Sequence, residues 1–99
     1  MQTINFNNAK MNDASGTITT GGVSQLVIPA NPEIRGYKIY NSSANDLWVN
    51  DLGNAATTSG PSELIPAGAW YYSEPTGASR LGVQIIGATT GQTFTARWW

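Results

Sequence analysis

The feature that most restricts the fold is a run of alternating apolar and polar residues interrupted by a short polar turn, at residues 35–50 (RGYKIYNSSANDLWVN). Tyr37, Ile39 and Asn41 alternate with Lys38 and Tyr40; after Ser42, Ser43, Ala44, Asn45 and Asp46, the apolar Leu47 and Val49 alternate with Trp48. Successive strand residues point to opposite faces, so the pattern belongs to two half-buried strands, and the intervening turn predicts a hairpin. Ile39 is then expected opposite Val49 and Tyr40 opposite Trp48. One face of the hairpin is aliphatic, and the other carries an aromatic pair flanked by Lys38 and Asn50. The rest of the chain has to cover the aliphatic face.

The same signal recurs along the chain. Residues 23–28 (VSQLVI) predict a strand with Leu26 and Ile28 inward, ended by Pro29, which has no N–H for a ladder. Asn31-Pro32 marks a turn. Residues 51–61 are small and polar, a long surface loop well placed to touch a partner. Residues 62–65 and 69–74 flank Pro66-Ala67-Gly68 with the spacing of a second hairpin. It sets Leu64 across from Trp70 and Glu63 across from Tyr71, with Trp70 in the core. After a turn at 75–79, Leu81, Val83 and Ile85 alternate with Gly82, Gln84 and Ile86, and residues 92–98 carry Phe94, Ala96 and Trp98 on one side. A connection through Ala88, Thr89, Thr90 and Gly91 puts both apolar sets on one face, since a slip of one residue would oppose Phe94 to Gln84. Trp98 is then inward and Trp99 outward.

Residues 1–15 (MQTINFNNAKMNDAS) are Asn-rich, with Phe6 as their one aromatic, and read as an extended arm tied down either by its own sheet or by a neighbour. Residues 16–99 form the domain proper. Many short strands, frequent turn residues and no helical periodicity predict an all-β chain, an antiparallel β-sandwich of about seven strands, Ig-like or jelly-roll in connection, with an extended N-terminal arm.

A 99-residue chain is one domain with a thin core, to which association would add burial. Charged residues make up 11% of the sequence and the net charge is -1. The cations Lys10, Arg35, Lys38, Arg80 and Arg97 are dispersed and nearly balanced by acids, so no basic stripe exists to neutralise phosphates, and nucleic acid is not an expected partner. A nearly neutral surface of Ser, Thr, Asn and Gly repels its own copies weakly. No apolar run approaches the roughly 18 residues of a membrane span, so no membrane partner is expected either. The N-terminus lacks the features of a signal peptide, and synthesis in the cytosol is the expectation.

With neither His nor Cys in the sequence, no Ser-His or Cys-His nucleophile and no ordinary zinc site can be assembled. In the second predicted hairpin Glu63 and Glu74 are offset by roughly 10 Å and point to opposite faces, beyond the roughly 5–9.5 Å of a glycosidase pair. Asn45 and Asp46 are separated from Asn50 and Asp51 by a strand, roughly 16 Å, too far to share a calcium ion whose ligands sit at about 2.4 Å. They serve as turn residues. Asn41-Ser42-Ser43 matches a glycosylation acceptor, but has no secretion signal to give it meaning. No dinucleotide or phosphate loop motif occurs. The chain is not expected to be an enzyme, and no cofactor or metal is implied.

Surfaces remain. Four tryptophans and four tyrosines exceed what a small sandwich core requires. The predicted Tyr40/Trp48 pair reads as a sugar-stacking platform, a protein interface or the inner face of a second sheet. Trp98 and Trp99 are adjacent in a strand and face opposite ways, so burying one leaves the other exposed, packed on another chain, or folded over the domain's own edge.

Residues 35–41 (RGYKIYN), 47–50 (LWVN), 64–68 (LIPAG) and 86–96 (IGATTGQTFTA) together resemble small β-sandwich structural proteins of tailed bacteriophages. The resemblance covers most of residues 22–96 and carries no catalytic residues. It implies a virion component made in the host cytoplasm, most similar to capsid decoration, or cement, proteins, which sit as oligomers on the outer shell and clamp neighbouring capsomers. The expected partners are other copies of the chain and the major capsid protein or another virion protein, with Phe6, Tyr40, Trp48, Trp98 and Trp99 as the contact residues. The rivals are a carbohydrate- or receptor-binding module of a tail, using Tyr40, Trp48 or Tyr71 as an exposed platform, and a head-tail joint protein.

Overall fold

The computed structural model describes residues 11–73 and 81–99. It is all-β, with no helix among the described residues and strands β1 (Asn12–Asp13), β2 (Gly16–Thr17), β3 (Gln25–Ile28), β4 (Tyr37–Asn41), β5 (Leu47–Asn50), β6 (Glu63–Ile65), β7 (Trp70–Tyr72), β8 (Val83–Gly87) and β9 (Thr93–Trp98). They form two antiparallel sheets. The first runs β1-β9-β4-β7, with β2 also on β9; the second runs β3-β8-β5-β6. Tyr37, Ile39, Phe94 and Ala96 from the first sheet meet Ile28, Leu47, Val49, Ile65, Val83 and Ile85 from the second in one buried cluster, closed by Ile18 and Ile34. This is the arrangement of a β-sandwich.

The expected alternation is present, but the expected hairpins are not. Strand β4 pairs with β7 and β9, whereas β5 pairs with β6 and β8, so Ile39 does not lie beside Val49 nor Tyr40 beside Trp48. The turn at 42–46 crosses from one sheet to the other, and Ile39 and Val49 face the same core from opposite walls. Side-chain amides hold that crossing. Asn41 Nδ2 donates to the carbonyls of Asn45 and Ile65, while its Oδ1 accepts from the Ser43 amide and hydroxyl. Gln92 Nε2 donates to Ser43 Oγ and to the Asn45 and Asp46 carbonyls, and its Oε1 accepts from Thr89 N. Both amides are buried, and each hydrogen bond removes a desolvation cost the loop would otherwise carry.

The remaining pairings differ for the same reason. Strand β6 lies in one sheet and β7 in the other, so Leu64 does not face Trp70. Ile65 and Tyr71 supply the inner positions, and Trp70, expected in the core, is 45% exposed. Strands β8 and β9 likewise oppose each other across the core, which replaces the expected register between them. Their apolar sets do both point inward. Leu26 is 58% exposed although Ile28 is fully buried, because a register shift between Leu26 and Ile28 inserts an extra residue and breaks the alternation. Leu81, expected to align with Val83 and Ile85, is exposed.

Among the described residues nine strands stand where about seven were expected, because β1 and β2 are two short pieces along β9. The boundary at residues 15 and 16 falls between them, so residues 12–17 follow their own sheet on both sides of it. Phe6 and the rest of residues 1–10 lie outside the described residues, as does Glu74.

Candidate functional site

The outer face of the first sheet carries the largest exposed rings. Along β4 burial alternates, with Tyr37, Ile39 and Asn41 inward and Lys38 and Tyr40 outward. Three consecutive aromatics in β7 cannot all point one way. Tyr71 takes the inner position, packed near Tyr37 with ring centroids 6.1 Å apart, and this leaves Trp70 and Tyr72 outside. Register places Tyr40 opposite Trp70 and Lys38 opposite Tyr72.

The result is a ladder of rings. Tyr40 and Trp70 have centroids 4.8 Å apart at 37°, Trp70 and Tyr72 are 5.9 Å apart at 22°, and Lys38 Nζ sits 5.3 Å from the Trp70 ring centre. These are the separations of attractive aromatic and cation–π contacts. Tyr72 is 59% exposed, and Tyr40 is half-buried. Away from β7 the same face becomes polar, with Thr95 opposite Tyr40 and Arg97 opposite Lys38. Arg97 Nε in turn lies 3.6 Å from Asp13 Oδ1. Hydrogen bonds from the Ser15 hydroxyl and amide, reinforced by Arg97, hold the Asp13 carboxyl below its usual range.

The ladder is rigidly mounted. At one end of β7, Tyr37 N donates to Ser73 Oγ and Ser73 N to the Tyr37 carbonyl; at the other, Asn41 N donates to the Ala69 carbonyl and Gly68 N to the Asn41 carbonyl. Tyr37 is itself anchored, its fully buried hydroxyl donating to Asp51 Oδ2 at 2.5 Å and so tying the first sheet to the chain leaving β5. Burial, and then the neighbouring carboxylate, push the Tyr37 phenol far above its ordinary pKa.

The expected contact residues are not gathered in one place. Trp48 lies on the outer face of the second sheet, between Leu64 and Ile86, so it and Tyr40 occupy opposite outer faces and form no pair. Trp98 is half-buried against the core. The Trp99 backbone pairs with Gly36 in both directions, and its ring lies over Gly36 so closely that a Cβ there would come within 2.8 Å of the indole. The ring thus folds over the domain's own edge. Trp70 and Tyr72 were legible as outward residues in the WYY triplet, once Tyr71 rather than Trp70 is taken as the inner ring. Among the described residues no group of three or more Asp and Glu gathers as a metal site; the ladder presents ring faces, phenol hydroxyls and one ammonium.

Comparison of the chain with protein-family models, with curated proteins and with solved structures found no match.

Proposed function

We propose that this protein is a structural component of a tailed-phage virion, a decoration protein that binds the outer capsid shell in many copies, and that its sandwich is a jelly roll. Taking β1 and β2 as one broken strand, the strand orders β1/β2-β9-β4-β7 and β3-β8-β5-β6 support the jelly-roll reading. In that fold two Greek keys carry the chain through two four-stranded sheets, crossing between them at every connection but the one from β5 to β6, an architecture shared by viral capsid and lectin domains.

The observation that carries the functional reading is the mounted, outward ladder of Tyr40, Trp70 and Tyr72. Large rings held rigidly at a surface lose little entropy on contact, and Trp and Tyr dominate interface hot spots. Repetition over a shell multiplies a modest contact into firm attachment. The low charge of the chain and its likeness to phage structural proteins point the same way.

The test is cosedimentation of the purified chain with capsid shells that lack it, together with a copy count per particle against the major capsid protein. Saturable binding at dozens or hundreds of copies, abolished by Trp70→Ala with Tyr72→Ala, is the expected result. No binding, or a single ring of copies as in a head-tail joint, overturns it. The shallow angle between Trp70 and Tyr72 favours a second reading, a carbohydrate-binding module of a tail, in which a sugar ring would stack on Tyr72. Quenching of tryptophan fluorescence by oligosaccharides, lost in Tyr72→Ala, would select it.

A further inference from the structure

Strand β7 is the last strand of its sheet, and among the described residues no strand pairs with its outer edge. Which residues face that edge follows from the ladder on the inner side. Asn41 N donates to the Ala69 carbonyl and Ser73 N to the Tyr37 carbonyl. Antiparallel pairs alternate between bonded and non-bonded, so Ala69, Tyr71 and Ser73 turn their backbone groups toward β4, and Trp70 and Tyr72 turn theirs away. The residues with outward backbone groups are therefore the ones with outward rings. An exposed strand edge invites pairing unless charge, proline or a bulge blocks it, and β7 has none of these in its WYY sequence.

We propose that β7 is the seam of a twofold dimer, pairing antiparallel with β7 of a second copy about an axis beside Tyr71. This rests on reading the ladder as a binding surface, which pairing of the two copies would double. Trp70 bonds the partner's Tyr72, and Tyr72 the partner's Trp70, so every outward backbone group of these residues finds its complement. That self-complementarity is what a twofold interface requires. Paired residues share a face, so Tyr40, Trp70 and Tyr72 of each copy merge into one continuous belt of rings. Charge also permits it. Across the seam the order on the outer face is Lys38, Tyr72, then the partner's Trp70 and Tyr40, so the two Lys38 positions lie three strand spacings across and two residues along from each other, roughly 16 Å. That exceeds the screening length of about 8–10 Å at ordinary salt. With a net charge of -1, the copies repel weakly.

The experiment combines sedimentation velocity from about 1 µM to about 1 mM with hydrogen exchange at individual amides. The wild-type chain is expected to dimerise reversibly, with the Trp70 and Tyr72 amides becoming protected as the dimer forms. Tyr72→Pro removes an N–H that no bond of its own sheet uses, so it should keep the fold and raise the dissociation constant about a hundredfold or more. Should Tyr72→Pro fail to fold, Tyr72→Lys places a charge on the same edge and should act alike. A wild-type chain that stays monomeric throughout, a dimer that survives both variants, or outward amides that exchange equally fast at all concentrations overturns the seam. The decoration reading fails separately: a dimer that ignores capsid shells refutes that reading alone, and a monomer that decorates them refutes the seam alone.

Discussion

Tyr37→Phe should weaken the fold at neutral pH, and the loss should shrink in alkali. Tyr37 is fully buried, and its hydroxyl donates to Asp51 Oδ2 at 2.5 Å. Phenylalanine keeps the ring and its packing, so the change isolates one hydrogen bond to a carboxylate, worth about 1.5–3 kcal/mol. Asp51 is half-buried and can take water in place of the phenol, which puts the expected cost at about 2 kcal/mol. In urea this moves the midpoint down by about 1–2 M for a domain of this size.

The pH dependence follows from linkage. Burial and Asp51 raise the phenol's pKa far above its ordinary value of 10.0, so the folded chain keeps the proton where the unfolded chain releases it. Stability from this group is complete below pH 10 and falls as the pH rises beyond it, by about 1.4 kcal/mol per unit. Phenylalanine has no such loss. The gap between wild type and Tyr37→Phe should therefore narrow from about 2 kcal/mol at pH 8 to about 0.6 kcal/mol at pH 11. Urea unfolding followed by tryptophan fluorescence at both pH values measures it. A variant as stable as the wild type at pH 8, or a gap that stays constant to pH 11, would refute the reasoning.

Asn41→Ala should cost about 3 kcal/mol in chemical denaturation, because it strips partners from the buried Ile65 carbonyl and from Asn45 and Ser43. Gly36→Ala should cost about 1–2 kcal/mol by driving a methyl group into the Trp99 indole; adding Trp99→Ala should recover part of that loss, and a thermodynamic cycle showing simple additivity would deny the contact. Trp70→Ala should change stability by less than about 1 kcal/mol, since the ring is a surface group, while removing shell binding in cosedimentation. Equal effects on folding and binding would return Trp70 to the core.

The difference between the expected and observed pairings shows what an alternating pattern encodes. Alternation says which side of a strand is buried, and Ile39, Val49, Ile85 and Phe94 are all inward as their spacing requires. It carries no information on which sheet the strand joins. Two successive strands beside each other in one sheet, or facing each other across a core, present the same period of two, and the five residues at 42–46 are long enough for either. The choice here is made by groups remote in sequence. Gln92 reaches back to Ser43, Asn45 and Asp46, and Asn41 reaches forward to Ile65, so the crossing is specified by buried amides whose partners no local window contains. The site inherits this consequence. Pairing β4 with β5 would have joined Tyr40 to Trp48, whereas sending β5 to the other sheet opens the flank of β4 to β7 and brings Tyr40 to Trp70 instead. An exposed aromatic ladder was therefore foreseeable in kind from the surplus of rings, but its membership depended on the crossing. Exchanging the buried amides of Asn41 and Gln92 for apolar groups should accordingly disturb the ladder as well as the loop, because the same hydrogen bonds that hold the turn decide which rings become neighbours.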